Sequence, residues 1–220
     1  MTDRYVIIVA AGMGRRMHSD VPKQFLPIDG KPILMRTVEA FRSVPNKILV
    51  LSHDWIGYWQ ELCADYGFNV PCKVVEGGEE RFNSVKNALE LIPDDAIVAI
   101  HDGVRPFVAD NVIEEAFRVA DKDGSAVPVV DCVDSVRVII EDGGNMPFDR
   151  NRVKLVQTPQ VFKASIIKKA YNVDYNPAFT DDASVVEASG YKIYLTKGDY
   201  RNKKITTISD ILSGQLTVDS

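Results

Sequence analysis

Tyr5-Val6-Ile7-Ile8-Val9-Ala10 runs straight into Ala11-Gly12-Met13-Gly14-Arg15-Arg16-Met17, with Pro22-Lys23-Gln24 shortly after. A short apolar run bounded by glycine reads as a buried parallel strand. In open α/β sheets, ligands sit beyond the carboxyl ends of such strands. Small residues at the turn let backbone N–H groups approach an anion closely. Two arginines and a lysine then add permanent positive charge. The stretch therefore predicts a first strand opening into a polyphosphate cradle with cations built into it. It is neither a P-loop, G-x-x-x-x-G-K-[ST], nor a G-x-G-x-x-G dinucleotide fingerprint. Taken alone, it also reads as a glycine-rich turn carrying two solvated arginines.

Working outward, Pro32 to Phe41 reads as a helix, with proline in its first turn and Leu34, Val38 and Phe41 at helical spacing. Lys47 to Ser52 is a second apolar strand. Trp55, Trp59, Leu62, Cys63 and Tyr66 mark one face of a helix and read as core packing. A third strand, Cys72 to Val75, ends at Glu76-Gly77-Gly78-Glu79-Glu80-Arg81, and Val85, Ala88, Leu89 and Ile92 face inward from the next helix. Ala96 to Ile100 is a fourth strand, ending at His101-Asp102-Gly103-Val104-Arg105-Pro106. Asn111 with Glu114 suggests the next helix start, and Ser125 to Val130 is a fifth strand.

Strand and helix alternate through the first 130 residues or so, which predicts an α/β fold: a Rossmann-like, mostly parallel sheet with helices on both faces. Right-handed crossovers place the glycine- and charge-rich loops after strands one, three and four on one sheet edge. From Cys132 to Val156 the rhythm changes. Val136 to Ile140, Glu141 to Asn145 and a polar run to Leu155-Val156 predict a long hairpin, a protruding β-arm over about 132–157. A two-stranded ribbon buries little alone, so a second copy of the chain is its expected partner, a fold-back on its own domain the alternative. Ala164 to Tyr171 reads as a helix, Thr180-Asp181-Asp182 as the cap of another reaching Ala188, and Lys192 to Leu195 as a strand. Arg201 to Thr206 reads as an extended basic segment, and Thr207 with Asp210 as the start of a last helix.

With 220 residues, 45% of them hydrophobic and 26% charged, the chain is expected to form one domain, 1–220. Its net charge of −5 speaks against a nucleic-acid partner. No apolar stretch is long enough to span a bilayer, and Met1 to Arg4 lacks a signal-peptide pattern. Cys63, Cys72 and Cys132 form no C-x-x-C pair and read as reduced thiols, so a cytoplasmic location is expected. The scattered His18, His53 and His101 make no zinc site.

What remains is a set of cations (Arg15, Arg16, Lys23, Arg105, Arg150, Lys204) and carboxylates (Asp102, Asp181, Asp182), without a Ser-His-Asp or Cys-His nucleophile. His101 reads as a satisfied structural group. Positioning plus charge neutralisation is what phosphoryl or nucleotidyl transfer requires.

The ordered set of Ala10-Ala11-Gly12-Met13-Gly14-Arg15-Arg16-Met17, Pro22-Lys23-Gln24, Glu76-Gly77-Gly78 with Arg81 and Ser84, His101-Asp102-Gly103-Val104-Arg105-Pro106, Asp149-Arg150, Thr158-Pro159-Gln160 and Thr180-Asp181-Asp182-Ala183-Ser184 resembles the 2-C-methyl-D-erythritol 4-phosphate cytidylyltransferases over essentially the whole chain. The resemblance implies CTP and the methylerythritol phosphate as substrates, Mg²⁺ as metal, CDP-methylerythritol and pyrophosphate as products, and a homodimer through the β-arm. It implies that Arg16 and Lys23 stabilise the transition state at the α-phosphate, and that Arg150 and Lys204 position the acceptor's phosphate, Arg150 coming from the partner's arm. Ala10, Ala11, Gly12, Gly14, Arg15, Gly78, Glu79 and Ser84 would hold the nucleotide. Asp102, Arg105, Ser135, Arg150, Thr158, Thr180 and Lys204 would surround the second substrate, with Asp102 also a candidate metal ligand beside the CTP phosphates. Ser135 stands where some relatives have threonine, and Gly103 where alanine is common. A ribitol-5-phosphate cytidylyltransferase is the nearest alternative, a non-catalytic nucleotide-binding module the alternative of another class. A dinucleotide-dependent oxidoreductase is disfavoured by the missing fingerprint.

Overall fold

The structure, a computed structural model, describes residues 2–12, 21–141, 143–207 and 209–211. The first apolar run forms β1 (Arg4–Val9). Asp29 and Gly30, both at positive φ, turn a small hairpin of β2 (Pro27–Ile28) and β3 (Lys31–Pro32), a signal that the apolar periodicity did not reveal. There follow α1 (Ile33–Ala40), β4 (Asn46–Leu51), α2 (His53–Asp65), β5 (Lys73–Glu76), α3 (Arg81–Leu89), β6 (Ile97–Asp102), α4 (Asp110–Asp123) and β7 (Ser125–Asp131). Then come β8 (Val136–Ile139), β9 (Asn145–Phe148), a 3₁₀ turn (Arg150–Arg152), β10 (Lys154–Val156), β11 (Gln160–Lys163), α5 (Ala164–Ala170), α6 (Asp182–Ala188) and β12 (Leu195–Lys197).

The main sheet runs β10-β7-β11-β6-β1-β4-β5, with β12 also paired to β7. β1, β4, β5 and β6 are mutually parallel, while β11 is antiparallel to both β6 and β7. Period-two alternation splits the apolar runs between two layers. Val6, Ile8, Leu49 and Ala99 pack with α1 and α4 residues such as Phe41 and Phe117. Ile7, Val50, Val98 and Ile100 pack on the other face with Val85, Ile167 and Val186. Helices on both faces of a mostly parallel sheet are what the sequence predicts.

Several expectations need correction. β11 was read only as part of a motif, because Val161 and Phe162 are its sole fully apolar pair; insertion between β6 and β7 makes it a strand. Leu155-Val156 belongs to β10 in the main sheet, so the two-stranded arm closes at Phe148. α4 begins at Asp110 without a side-chain cap, and Glu114 instead pairs with Arg4 at 2.7 Å. On α2 only Trp59 is buried, while Tyr66 is 46% exposed. The late strand lies at Leu195–Lys197, not Lys192 to Leu195. Asp181 does cap α6, in a reciprocal box with Ser184. Of the expected last helix, Asp210 accepts from the N–H and hydroxyl of Thr207, but 208 and 212–220 lie outside the described residues. Among the described residues no helix is long and apolar enough to cross a membrane.

Candidate active site

Sheet register sets the site. Val9 is level with Val50 and Asp102, and Leu51 with Glu76, so the loops leaving β1, β5 and β6 emerge together. Between them lies a cavity of about 190 Å³, lined by Val9 to Gly12, Lys23, Gln24, Gly78 to Arg81, Ser84, Asp102, Val104 and Lys204. Small residues, Ala10 to Gly12 and Gly78, form one side of it. Ala10 N–H donates to the Val50 carbonyl (2.9 Å), and buried Gln24 donates through Nε2 to the carbonyls of Ala10 (2.8 Å) and Gly12 (3.2 Å). Gly78 N–H donates to Ser84 Oγ at 3.1 Å. A Cβ at Gly78 would stand 2.4 Å from that of Asn83, and one at Gly103 would stand 2.8 Å from that of Ala10. Glycine at 103, the departure noted above, therefore brings the β6 turn against the opening loop.

A second cavity, of about 320 Å³, is lined by Arg81, Asp102, Arg105, Val156, Gln157, Thr158, Gln160, Thr180, Asp181 and Lys204. It shares Arg81, Asp102 and Lys204 with the first. Asp102 is the centre of that shared wall. Lys204 Nζ lies 3.1 Å and Arg105 Nε 3.3 Å from its Oδ2, with Arg81 Nε 3.7 Å from Oδ1. Burial alone would raise its pKa, but Arg81, Lys204 and Arg105 outweigh it and hold the carboxyl well below the usual range. Arg81 also makes a two-pronged pair with fully buried Asp182, at 2.9 and 2.7 Å, to which Tyr171 donates at 2.6 Å. Burial disfavours the guanidinium charge, yet Asp182 and Asp102 hold it protonated.

The structure thus gathers Ala10, Ala11, Gly12, Lys23, Gly78, Glu79 and Ser84 in the first cavity, Arg105, Thr158 and Thr180 in the second, and Asp102 and Lys204 in both. Ser135 and Arg150 line neither. Ser135 is exposed before β8, and Arg150 donates to the Val133 carbonyl at 2.6 Å on the arm. Gly14, Arg15 and Arg16 lie outside the described residues. Four residues were missed. Arg81 stood in a quoted motif without a role, its partner Asp182 being 101 positions away. Gln24 ties down the opening loop, Gln160 bonds Asp181 and the Ala183 N–H, and Asn202 bridges two loops. A buried glutamine beside each motif was the available signal. His101 is fully buried and hydrogen-bonded, as expected of a structural group.

Among the described residues no three His, Cys, Asp or Glu side chains are placed to hold a metal ion. Among the described residues, Lys204 and Arg105 approach Asp102 at Oδ2, while Oδ1 has Arg81 at 3.7 Å and is the carboxylate oxygen on offer at the junction. That donor set fits a divalent ion carried on substrate phosphates, not one caged by protein.

The family model for 2-C-methyl-D-erythritol 4-phosphate cytidylyltransferase (IspD) matches residues 5–220. A protein of that name from Bacteroides fragilis is 50% identical over 211 residues, covering 94% of this chain and 96% of its own. One from Clostridium novyi is 40% identical over 227 residues, covering 100% and 98%. Among solved structures, the Thermus thermophilus enzyme of that name superposes with a TM-score of 0.78 at 27% identity, covering 100% of both chains. The 4-diphosphocytidyl-2C-methyl-D-erythritol synthase of Anaerococcus prevotii shares the fold with a TM-score of 0.84 at 24% identity, covering 100% and 97%. With its cavities and motifs in place, the chain belongs to the 2-C-methyl-D-erythritol 4-phosphate cytidylyltransferase family.

Proposed function

We propose that the chain transfers the cytidylyl group of CTP to 2-C-methyl-D-erythritol 4-phosphate, giving CDP-methylerythritol and pyrophosphate for isoprenoid precursor synthesis. The observation that carries this is two adjoining cavities sharing one charged wall, Arg81, Asp102 and Lys204. A two-substrate transfer needs that layout: the nucleotide against the small-residue wall, the acceptor against the charged one, and the reacting phosphates where they meet.

The acceptor's phosphate oxygen attacks the α-phosphorus in line, the new P–O bond forms, and the bond to the β-phosphate bridging oxygen breaks. The attacking group is already an anion, so no strong base is required. Lys23, in the first cavity, and Arg16 neutralise charge that builds on the α-phosphate. Lys204 and Arg150 position the acceptor phosphate. A Mg²⁺ bound with CTP would supply further neutralisation for the leaving pyrophosphate, and Asp102 would be the residue to hold it. Backbone groups at Ala10 to Gly12 and at Gly78 read the nucleotide at close range. We further propose that residues 1–220 act as one domain, in the cytoplasm, as a homodimer through the arm. Val138, Ile139, Met146 and Phe148 are exposed there, at 40%, 71%, 50% and 38%. A ribbon so apolar calls for a cover, and dimerisation would also bring the partner's Arg150 to the site.

The test is to identify the products of CTP, Mg²⁺ and the methylerythritol phosphate, then compare Lys23→Ala. The expected result is a fall in kcat of about 10²-fold or more with little change in CTP affinity. An unchanged kcat would overturn the assignment.

A further inference from the structure

The groups that face the acceptor are held by a closed ring of hydrogen bonds whose other members face no cavity. β6 pairs with β11 only as far as Ile100, opposite Gln160. Gly103 N–H turns to β1, donating to the Val9 carbonyl, so the Asp102 N–H is left on the β11 side past the last ladder pair. Thr158 Oγ1 takes that N–H at 3.1 Å. The same hydroxyl lies 3.1 Å from His101 Nδ1. His101 Nε2 in turn lies 3.0 Å from the Arg105 carbonyl. A carbonyl only accepts, so Nε2 carries the proton, Nδ1 accepts, and the Thr158 hydroxyl donates to it.

Asn202 closes the ring. Its Nδ2 donates to the Thr158 carbonyl at 2.7 Å, and its own carbonyl accepts from Arg105 NH1 at 2.7 Å. His101 and Asn202 are both completely buried. The apolar face of the His101 ring meets Phe41 edge-on, with centroids 4.7 Å apart. Through this ring the end of β6, the turn carrying Arg105, the segment before β11 and the loop carrying Lys204 are fixed to one another. The single proton of the Thr158 hydroxyl and one of its two lone pairs are spent inside it, so it has no proton left to donate to a substrate.

We infer that His101 and Asn202 are positioning residues for the acceptor half of the site, and that the Thr158 hydroxyl acts through His101 and Asp102 instead of through a substrate hydrogen bond. Deleting the ring loosens Asp102, Arg105 and Lys204 together while leaving the Gln24-anchored nucleotide loop in place. This inference rests on the cytidylyl-transfer reading and names residues that reading does not use.

The experiment is a double-mutant cycle on the full chain with His101→Phe, Thr158→Val and the pair, read as kcat/KM for the methylerythritol phosphate and Kd for CTP. Phe keeps the ring's packing on Phe41 without its hydrogen bonds. Each single variant is expected to lower kcat/KM for the acceptor about 10- to 100-fold, with CTP Kd within about threefold. The pair should lose clearly less than the sum of the two singles, since both remove the bond between Thr158 Oγ1 and His101 Nδ1. His101→Gln, which keeps a donor for the Arg105 carbonyl, should recover part of the loss. Additive losses would place the Thr158 hydroxyl on the substrate and overturn the inference, as would equal losses for CTP and acceptor. If His101→Phe does not fold, His101→Leu takes its place in the same cycle with the same criterion. Wild-type protein that releases no pyrophosphate with the acceptor would instead overturn the parent reading.

Discussion

The two cavities share Arg81, Asp102 and Lys204 yet differ in the rest of their lining. Away from that shared wall the first sets small residues, Ala10 to Gly12 and Gly78, beside Lys23, Glu79 and Glu80, with approaches that leave no room for a Cβ at Gly78 or Gly103. The acceptor wall is made of long, charged side chains, with Arg81 alone touching both Asp102 and Asp182. On the proposed reading, a flat base and a polyphosphate sit against the small-residue side of the first cavity. On the same reading, a flexible polyol phosphate is held by cations whose positions must be fixed by buried partners. The first design fails by steric intrusion, the second by loss of a counter-charge.

The largest effect should come from Asp102→Ala, which strips Lys204 and Arg105 of the carboxylate between them while Arg81 keeps Asp182. Breaking a buried charge cluster from one side costs about 3–5 kcal/mol, measurable as a lower urea midpoint. Turnover should fall further than CTP binding. If CTP binding falls as far as turnover, the two walls are not independent.

The next effect is a pH dependence confined to the acceptor side. Burial pushes His101 down to about 4, partly offset by its bond to the Arg105 carbonyl. Unfolded, it binds a proton below about 6.5. Between those values the unfolded chain holds more protons, so stability falls as pH falls, by up to about 3 kcal/mol across the window. The difference between wild type and His101→Phe should change by that amount between pH 7 and 4. A constant difference would show that His101 titrates alike in the folded and unfolded chain. The depressed carboxyl of Asp102 acts lower: its contribution is complete above the unfolded carboxylate range near 3.9 and is lost below it.

A smaller effect sharpens the other wall. Gly78→Ala puts a Cβ 2.4 Å from that of Asn83, and such overpacking costs about 1–3 kcal/mol. KM for CTP should rise while KM for the acceptor stays put; the reverse pattern would exchange the roles of the cavities.

The same contrast explains what the sequence disclosed. The nucleotide wall is local: an apolar run, then small residues, then the next such unit, so β1, β5, β6 and their loops were readable in order. Even there, Gln24 was read only as part of a motif, though it holds the loop by two carbonyls. The acceptor wall is assembled across the chain. His101 meets Thr158 at a separation of 57 residues, Thr158 meets Asn202 at 44, and Arg81 meets Asp182 at 101. No periodicity records such contacts, so Asp102 was visible as an acid at a strand end while its supports were not. β11 escaped for a related reason, since four residues with two apolar ones become a strand only where two neighbours bracket them. The arm was seen but drawn too long, because Leu155 and Val156 alternate equally well as ribbon or as sheet edge.

The most direct test is pyrophosphate release by the wild-type protein with CTP and Mg²⁺, comparing kcat/KM for 2-C-methyl-D-erythritol 4-phosphate and ribitol 5-phosphate. Turnover with the first and little or none with the second is the predicted result. Turnover with ribitol 5-phosphate alone would keep the nucleotide wall and its chemistry but contradict the acceptor assigned to the wall of Asp102, Arg105 and Lys204.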